Sequence, residues 1–189
     1  MNIPNILTLL RVALIPIFIL LYYLPLHWSY LAAATVFTLA SLTDWLDGYL
    51  ARKWQQSTPF GAFLDPVADK LMVAVALVLL VQAHANFWVT APAMVIIGRE
   101  IVISALREWM AEIGARAQVA VSNLGKYKTA AQMVALIVLL ANPPTFSSWV
   151  ILGYVLLMIS AVLTLWSMCL YLKAAWPHMS MHSDQKSDK

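Results

Sequence analysis

The amino-acid sequence predicts an all-α integral membrane protein with six transmembrane helices. Of its 189 residues, 62% are hydrophobic and only 11% are charged, and the mean hydropathy is +0.77. A soluble domain of this composition would aggregate, whereas a membrane-spanning helix needs about 20 mostly apolar residues, so roughly six spans fit this length. We therefore expect a helical membrane domain over residues 1–179 and a short, polar, disordered tail over residues 180–189.

The predicted spans are apolar stretches separated by short polar segments. They cover residues 3–24, 29–42, 60–81, 88–106, 119–140 and 148–172. The first stretch lacks a basic start and a small-residue cleavage site, so we interpret it as a retained span. The second stretch is short, so we expect its helix to continue and to carry Asp44 and Asp47 on its last turns. The single cysteine, Cys169, has apolar neighbours and is expected to be buried or lipid-facing.

The distribution of charges predicts the topology. Residues 25–27, 82–86 and 142–145, which connect successive spans, contain no Asp, Glu, Lys or Arg. The opposite side carries the basic residues, including Arg52, Lys53, Arg107, Arg116, Lys126, Lys128 and Lys173. By the positive-inside rule that side is cytoplasmic, which places both termini in the cytoplasm.

Four aspartates are concentrated at the predicted cytoplasmic ends of the second and third spans. Asp44 and Asp47 are three residues apart and Asp65 and Asp69 are four apart, so on helices each pair projects from one face. A carboxylate beside hydrocarbon is costly unless it is paired or faces a water-filled cavity. This cost favours a functional site, with helix caps and interfacial charges as the alternative.

The chemistry of these carboxylates favours hard divalent cations. Oxygen ligands without cysteine or a nearby histidine suit Mg²⁺ or Mn²⁺ better than zinc. Four like charges need compensation, and two metal ions about 4 Å apart would provide it. Such a pair would also hold the attacking and leaving oxygens of a displacement at phosphorus. We therefore expect Asp44, Asp47, Asp65 and Asp69 to bind two divalent cations.

Small residues accompany the aspartates at fixed spacings. Gly48, Ala51 and Gly61 would let a nucleotide or a neighbouring helix approach closely, and Arg52 could contact a phosphate. From Asp44 onwards, the pattern D-x-x-D-G-x-x-A-R, eight residues, then G-x-x-x-D-x-x-x-D matches the signature of the CDP-alcohol phosphotransferase family at every fixed position. The six-span layout also resembles that family's helical bundle.

The family resemblance implies a division of roles among these residues. The four aspartates would share two metal ions, the pyrophosphate of a CDP-linked donor would lie on them, and Asp69 would be the general base. By the same resemblance Asn5 and Thr8 could contact the donor phosphates, or they could cap the first helix beside Pro4. The resemblance also implies a homodimer in the bacterial inner membrane.

A second polar region points to the acceptor. Arg99 and Arg107 are eight residues apart, close to two helical turns, so they share one face with Ile103. Lys126 and Lys128 lie at the predicted start of the fifth span. A basic pocket formed by these residues would suit an acceptor that carries a phosphate. The alternative is that they are topology charges and Arg–Glu helix pairs.

These segments, together with the N-terminal residues 3–8 and Arg11, are similar to the branch of the family that uses glycerol 3-phosphate. We therefore expect an enzyme that transfers a phosphatidyl group from CDP-diacylglycerol to glycerol 3-phosphate, releasing phosphatidylglycerol phosphate and CMP. Its partners would be these substrates and membrane lipid, with no nucleic acid. Another acceptor, a metal-dependent membrane phosphatase or pyrophosphatase, and a cation transporter remain alternatives.

Overall fold

The computed structural model describes residues 3–54, 59–112 and 124–184. Within this range, the side chains of residues 3–5, 45–54, 59–60, 62, 124–127 and 174–184 are not described. The described residues form six helices joined by turns, without a strand: α1 (Ile3–Tyr23), α2 (Ser29–Trp54), α3 (Pro59–His84), α4 (Phe87–Glu112), α5 (Leu124–Leu140) and α6 (Ser148–Asp184). The prediction of an all-helical chain is confirmed.

Several of these helices can cross a membrane. The stretches Ile6–Tyr23, Phe87–Glu112 and Ser148–Lys173 are long and apolar enough to do so, and Lys128–Leu140 is a shorter apolar stretch. Large apolar side chains point outwards along the bundle, including Leu20, Phe63, Met94, Ile101 and Trp166. Because hydrocarbon does not penalise exposed apolar surface as water does, this exterior suits a multi-pass membrane protein.

The helix boundaries follow local sequence signals. The second helix continues well beyond residue 42, as expected, and carries Asp44 and Asp47 before ending at Trp54. Asn86 precedes α4, and its side-chain oxygen accepts a hydrogen bond from the backbone N–H of Val89 at 3.2 Å. Ser147 caps α6 in the same way, through the N–H of Val150 at 3.3 Å.

The C-terminal end of α6 extends into the segment that we expected to be disordered. Residues 180–184 continue the helix, which ends at Asp184, and residues 185–189 lie outside the described range. The limit between helical domain and tail therefore stays a prediction. Cys169 is exposed on α6, which agrees with the lipid-facing interpretation.

The core of the bundle draws on all six helices. It includes a fully buried side chain from each of them: Phe18, Phe37, Leu80, Ile96, Leu136 and Leu157. Helix α6 packs against both α4 and α5, and α1 packs against α2 and α3. A methyl group added at Gly153 would lie 2.6 Å from the side chain of Leu139, so the glycine allows α5 and α6 to approach closely.

One end of the bundle is held by neutral hydrogen bonds. Tyr23 donates to Gln82 at 3.0 Å, which links the end of α1 to α3. The Tyr154 hydroxyl of α6 lies 2.8 Å from His84 Nδ1 and accepts a hydrogen bond from Asn86 at 2.9 Å. We call these five residues the neutral end. Gln82, His84 and Asn86 belong to the connection over residues 82–86, which contains no Asp, Glu, Lys or Arg.

Candidate active site

Two polar side chains of α1 contact the aspartates. Thr8 and Arg11 are three residues apart on α1, and both are buried, with exposed fractions of 0% and 1%. Thr8 donates a hydrogen bond from Oγ1 to Asp65 on α3, and the Arg11 guanidinium forms an ion pair with Asp44 on α2. Helix α1 thus connects two of the predicted metal ligands.

Asp69 lies one helical turn beyond Asp65 on α3, on the wall of a cavity. Four charged side chains of the described residues are close enough to interact electrostatically with its carboxyl group: Asp44, Arg11, Glu100 and Lys70. Asp69 is therefore close to Asp44 of the aspartate cluster, and it lines the same cavity as Arg99 and Arg107 of α4. This is the position expected of a group that acts between a donor and an acceptor.

The cavity has a volume of about 580 Å³ and lies between α3, α4, α5 and α6. Its polar lining consists of Asp69, Lys70, Arg99, Glu100, Arg107, Lys128, Thr129, Gln132, Ser167 and Tyr171. Four of these side chains are cationic and two are carboxylates, so the described lining has an excess of positive charge. A cavity of this size and charge can hold a small phosphorylated molecule.

Glu100 holds two of the cations in the cavity. Its Oε1 accepts a hydrogen bond from Arg99 at 2.7 Å and lies 3.7 Å from the ammonium group of Lys128. The exposed fractions of these side chains are 11% for Arg99 and 6% for Lys128. Arg99 and Glu100 thus form an Arg–Glu pair of the kind that was the alternative interpretation of these charges. Because all three residues line the cavity, the pairing does not remove the cations from reach of a ligand.

Tyr171 contacts both arginines of the cavity, Arg99 and Arg107. The Cζ atoms of Arg99 and Arg107 lie 5.9 Å and 5.6 Å from the centre of the Tyr171 ring, within the range of cation–π contacts. Arg107 also donates a long hydrogen bond of 3.4 Å to the Tyr171 hydroxyl. Because both arginines contact the same ring, the prediction that they share one face of α4 is confirmed. Ile103, which lies midway between them in the sequence, is buried.

Lys70 links α3 to α4 beside Asp69. Its ammonium group donates to the hydroxyl of Ser104, which in turn donates to the backbone oxygen of Glu100 at 2.5 Å. These hydrogen bonds fix the wall of the cavity that carries Asp69 relative to the wall that carries the arginines.

The donor set of the aspartate cluster fits a hard divalent cation. Asp44, Asp65 and Asp69 offer only carboxylate oxygens, the ligands that Mg²⁺ and Mn²⁺ prefer. No three described Asp, Glu, His or Cys side chains are grouped closely enough to hold a metal ion. The side chain of Asp47, the fourth predicted ligand, lies outside the described set. Arg11 and Thr8 engage Asp44 and Asp65 in this arrangement.

Several predicted site residues cannot be placed. The described set does not include the surroundings of Gly48 or the side chains of Asn5, Asp47, Ala51, Arg52 and Lys126. Gly61 is buried on α3. The predicted roles of these residues stay predictions.

Other residues at the site had no predicted role. Arg11 is a charged residue inside an apolar stretch, and Lys70 follows Asp69 directly. The sequence context of both residues therefore indicated that they could belong to a site. Gln132, Ser167 and Tyr171 lie on α5 and α6 in apolar surroundings, and only the packing of the helices brings them to the cavity.

Comparison with known proteins identifies the family of this chain. The model of the CDP-alcohol phosphatidyltransferase family matches residues 1–166. A CDP-diacylglycerol--glycerol-3-phosphate 3-phosphatidyltransferase of Pseudomonas fluorescens is 69% identical over 180 residues, covering 95% of this chain and 92% of the relative. Proteins of the same name from Escherichia coli (strain K12) and Shigella flexneri serotype 5b (strain 8401) are each 60% identical over 174 residues, covering 92% of this chain and 94% of theirs. The chain is therefore an enzyme of the CDP-alcohol phosphatidyltransferase family.

Proposed function

We propose that this enzyme transfers a phosphatidyl group from CDP-diacylglycerol to glycerol 3-phosphate, producing phosphatidylglycerol phosphate and CMP. The observation that carries the proposal is that Asp69 lines the same cavity as Arg99, Arg107 and Lys128. An acceptor with its own phosphate would use these cations, which outnumber the carboxylates of the described lining, whereas an uncharged acceptor would have no use for this excess of positive charge. The names of the relatives support the same two substrates.

The acceptor would bind with its phosphate among the cations and its hydroxyl towards Asp69. Arginine guanidinium groups bind phosphate oxygens through charged hydrogen bonds, and a lysine ammonium adds a point charge. Arg99, Arg107 and Lys128 come from two helices, α4 and α5, so they can approach a phosphate from more than one side. Lys126, two residues before Lys128 in the sequence, would be a further candidate.

The chemical step is a displacement at the phosphorus that carries the diacylglycerol. Asp69 would take the proton from the primary hydroxyl of glycerol 3-phosphate, and the freed oxygen would attack this phosphorus. The bond from the phosphorus to the oxygen shared with CMP would break, and CMP would leave. General-base catalysis by a positioned side chain is worth about 10²–10⁴-fold in rate.

Asp44, Asp47, Asp65 and Asp69 would hold two divalent cations, Mg²⁺ or Mn²⁺. When bound, these ions would stabilise negative charge on the reacting phosphate oxygens. Gly48, Ala51, Arg52 and Gly61 would contact the CDP part of the donor, with Asn5 and Thr8 near its phosphates.

The membrane setting suits a lipid substrate. The acyl chains of CDP-diacylglycerol stay in the hydrocarbon of the bilayer. The site must therefore open sideways to the bilayer so that the lipid can enter it. We propose six spans with both termini in the cytoplasm, in a bacterial inner membrane. The site would face the cytoplasm, where glycerol 3-phosphate is available, and the enzyme would be a homodimer.

The direct test uses purified protein in lipid vesicles or detergent micelles that contain CDP-diacylglycerol. Adding glycerol 3-phosphate and Mg²⁺ should release CMP, and a chelator should stop the release until Mg²⁺ or Mn²⁺ is restored. Asp69→Asn should lower the rate by at least about 10²-fold. Glu108→Gln, which changes an exposed carboxylate of α4 away from the cavity, is the matched control. Unchanged CMP release by Asp69→Asn would exclude Asp69 as the base.

The acceptor is tested by substitution. Serine, inositol phosphate or phosphatidylglycerol replaces glycerol 3-phosphate at the same concentration, and CMP and the lipid product are measured. Faster release with one of these compounds would show that the acceptor is wrong while the family assignment holds. CMP release with no added acceptor, and water in the product, would indicate a hydrolase.

A further inference from the structure

We propose that Tyr171 is a positioning residue for the acceptor, whose aromatic ring contacts both Arg99 and Arg107 and holds them in place to bind the acceptor phosphate. This inference rests on the proposed function and adds a residue to it. Tyr171 lies beyond residue 166, where the match to the family model ends. It belongs to α6, which otherwise contributes mainly apolar side chains to the bundle.

The first argument is geometric. Arg99 and Arg107 are separated by about two turns of α4, or roughly 12 Å along its axis, so their side chains do not meet through the helix alone. Both nevertheless have their Cζ atoms within 5.9 Å of the centre of the same ring. Because α6 packs against α4, it delivers this ring to the face that carries both arginines.

The second argument concerns charge. Two guanidinium groups in one cavity repel each other, and among the described residues Glu100 pairs with Arg99 but not with Arg107. The face of an aromatic ring attracts cations without carrying a net charge. Tyr171 can therefore hold the arginines while leaving their positive charge and most of their N–H groups available.

A third observation points to a missing ligand. Arg99 is largely buried, and its Nε has no hydrogen-bond partner in the described part of the chain. Glu100 satisfies only NH1 of this guanidinium through the hydrogen bond at 2.7 Å. A buried N–H without a partner is unfavourable, so a phosphate oxygen in the cavity would complete the hydrogen bonding of Arg99.

The ring of Tyr171, and not its hydroxyl group, is expected to position the arginines. The hydroxyl accepts one long hydrogen bond of 3.4 Å from Arg107, which is a weak interaction. The ring faces both arginines. Tyr171→Phe should therefore preserve the function of this residue, and Tyr171→Leu should remove it while keeping an apolar side chain on α6.

The test measures CMP release against glycerol 3-phosphate concentration at saturating CDP-diacylglycerol. Tyr171→Leu should raise the KM for glycerol 3-phosphate about tenfold, with kcat and the KM for CDP-diacylglycerol changed less than about twofold. Tyr171→Phe should stay within about twofold of the native KM. Trp166→Leu, an exposed aromatic of α6 outside the cavity lining, is the control and should not change the KM.

Any of three results would overturn the proposal. An unchanged KM in Tyr171→Leu would show that the ring does not position the arginines. An equal loss in Tyr171→Phe, or a joint fall of kcat and melting temperature in Tyr171→Leu, would indicate a role for the hydroxyl or a purely structural role.

Binding of inorganic phosphate to the detergent-solubilised protein, measured by calorimetry, keeps this test independent of the reaction. Phosphate should bind about tenfold more weakly to Tyr171→Leu than to the native protein or to Tyr171→Phe. Equal binding by all three would overturn the Tyr171 proposal. If the native protein binds phosphate with this pattern but releases no CMP with glycerol 3-phosphate, the proposed reaction fails and the role of Tyr171 stands.

Discussion

The ion pair between Arg11 and Asp44 allows a quantitative test of how the first helix supports the site. Arg11 is 1% exposed and Asp44 is 38% exposed. Removing one partner from a fully buried pair costs about 3–5 kcal/mol, because the remaining charge is left without compensation. Exposed pairs are worth about 0–1 kcal/mol. With one partner buried and one partly solvated, we expect Arg11→Met to lower the free energy of unfolding by about 1–3 kcal/mol.

The experiment is a double-mutant cycle of Arg11→Met and Asp44→Asn. Unfolding of the detergent-solubilised protein is followed in the presence of a chelator, so that bound metal does not contribute. We expect the two substitutions to be non-additive by at least about 1 kcal/mol, because each removes the same ion pair. Arg11→Lys, which keeps the charge, should lose less stability than Arg11→Met.

Additivity within about 0.5 kcal/mol would refute the reasoning, since residues that do not interact behave in this way. Divalent cations give a second measurement of the same pair. If Asp44 is a metal ligand, bound Mg²⁺ should replace part of the lost positive charge and reduce the destabilisation caused by Arg11→Met. The same destabilisation with and without Mg²⁺ would argue against Asp44 as a ligand.

Three further substitutions test packing and hydrogen bonding. Gly153→Ala should lower the free energy of unfolding by about 1–3 kcal/mol, because the added methyl group would lie 2.6 Å from the side chain of Leu139. Chemical unfolding measures this loss, and no loss would mean that α5 and α6 can move apart to make room for the methyl group. Thr8→Val removes the donor to Asp65 and should cost about 1–3 kcal/mol, whereas Thr8→Ser should retain most of the stability. Asn86→Ala removes the cap of α4 and should lower the melting temperature through a loss of about 1 kcal/mol, and an unchanged melting temperature would contradict the assigned cap.

The sequence predicted those features that depend on short-range patterns. The continuation of the second helix past residue 42 followed from the shortness of the apolar stretch over residues 29–42, and α2 indeed reaches Trp54. The shared face of Arg99 and Arg107 followed from helical periodicity in the same way. Such patterns are visible in sequence because the interacting residues lie within two turns of each other.

The contacts between helices could not be predicted in this way. Thr8 meets Asp65 across 57 positions of the chain, and Arg107 meets Tyr171 across 64. No periodicity relates such positions, because the packing of whole helices decides which of their faces meet. Tyr171 in particular has the same apolar setting as tyrosines that lie at a membrane interface, so its sequence context contained no sign of a binding role.

The neutral end of the bundle has a consequence for how the molecule responds to electrolyte. Its hydrogen bonds join uncharged groups of α1, α3 and α6, whereas the ion pairs of the described residues lie around the aspartates and the cavity. Ionic strength weakens interactions between charges that water can reach and has little effect on neutral hydrogen bonds. Because the carboxylates of these ion pairs are partly exposed, high salt should weaken the contacts around the site somewhat and leave the hydrogen bonds of the neutral end unchanged.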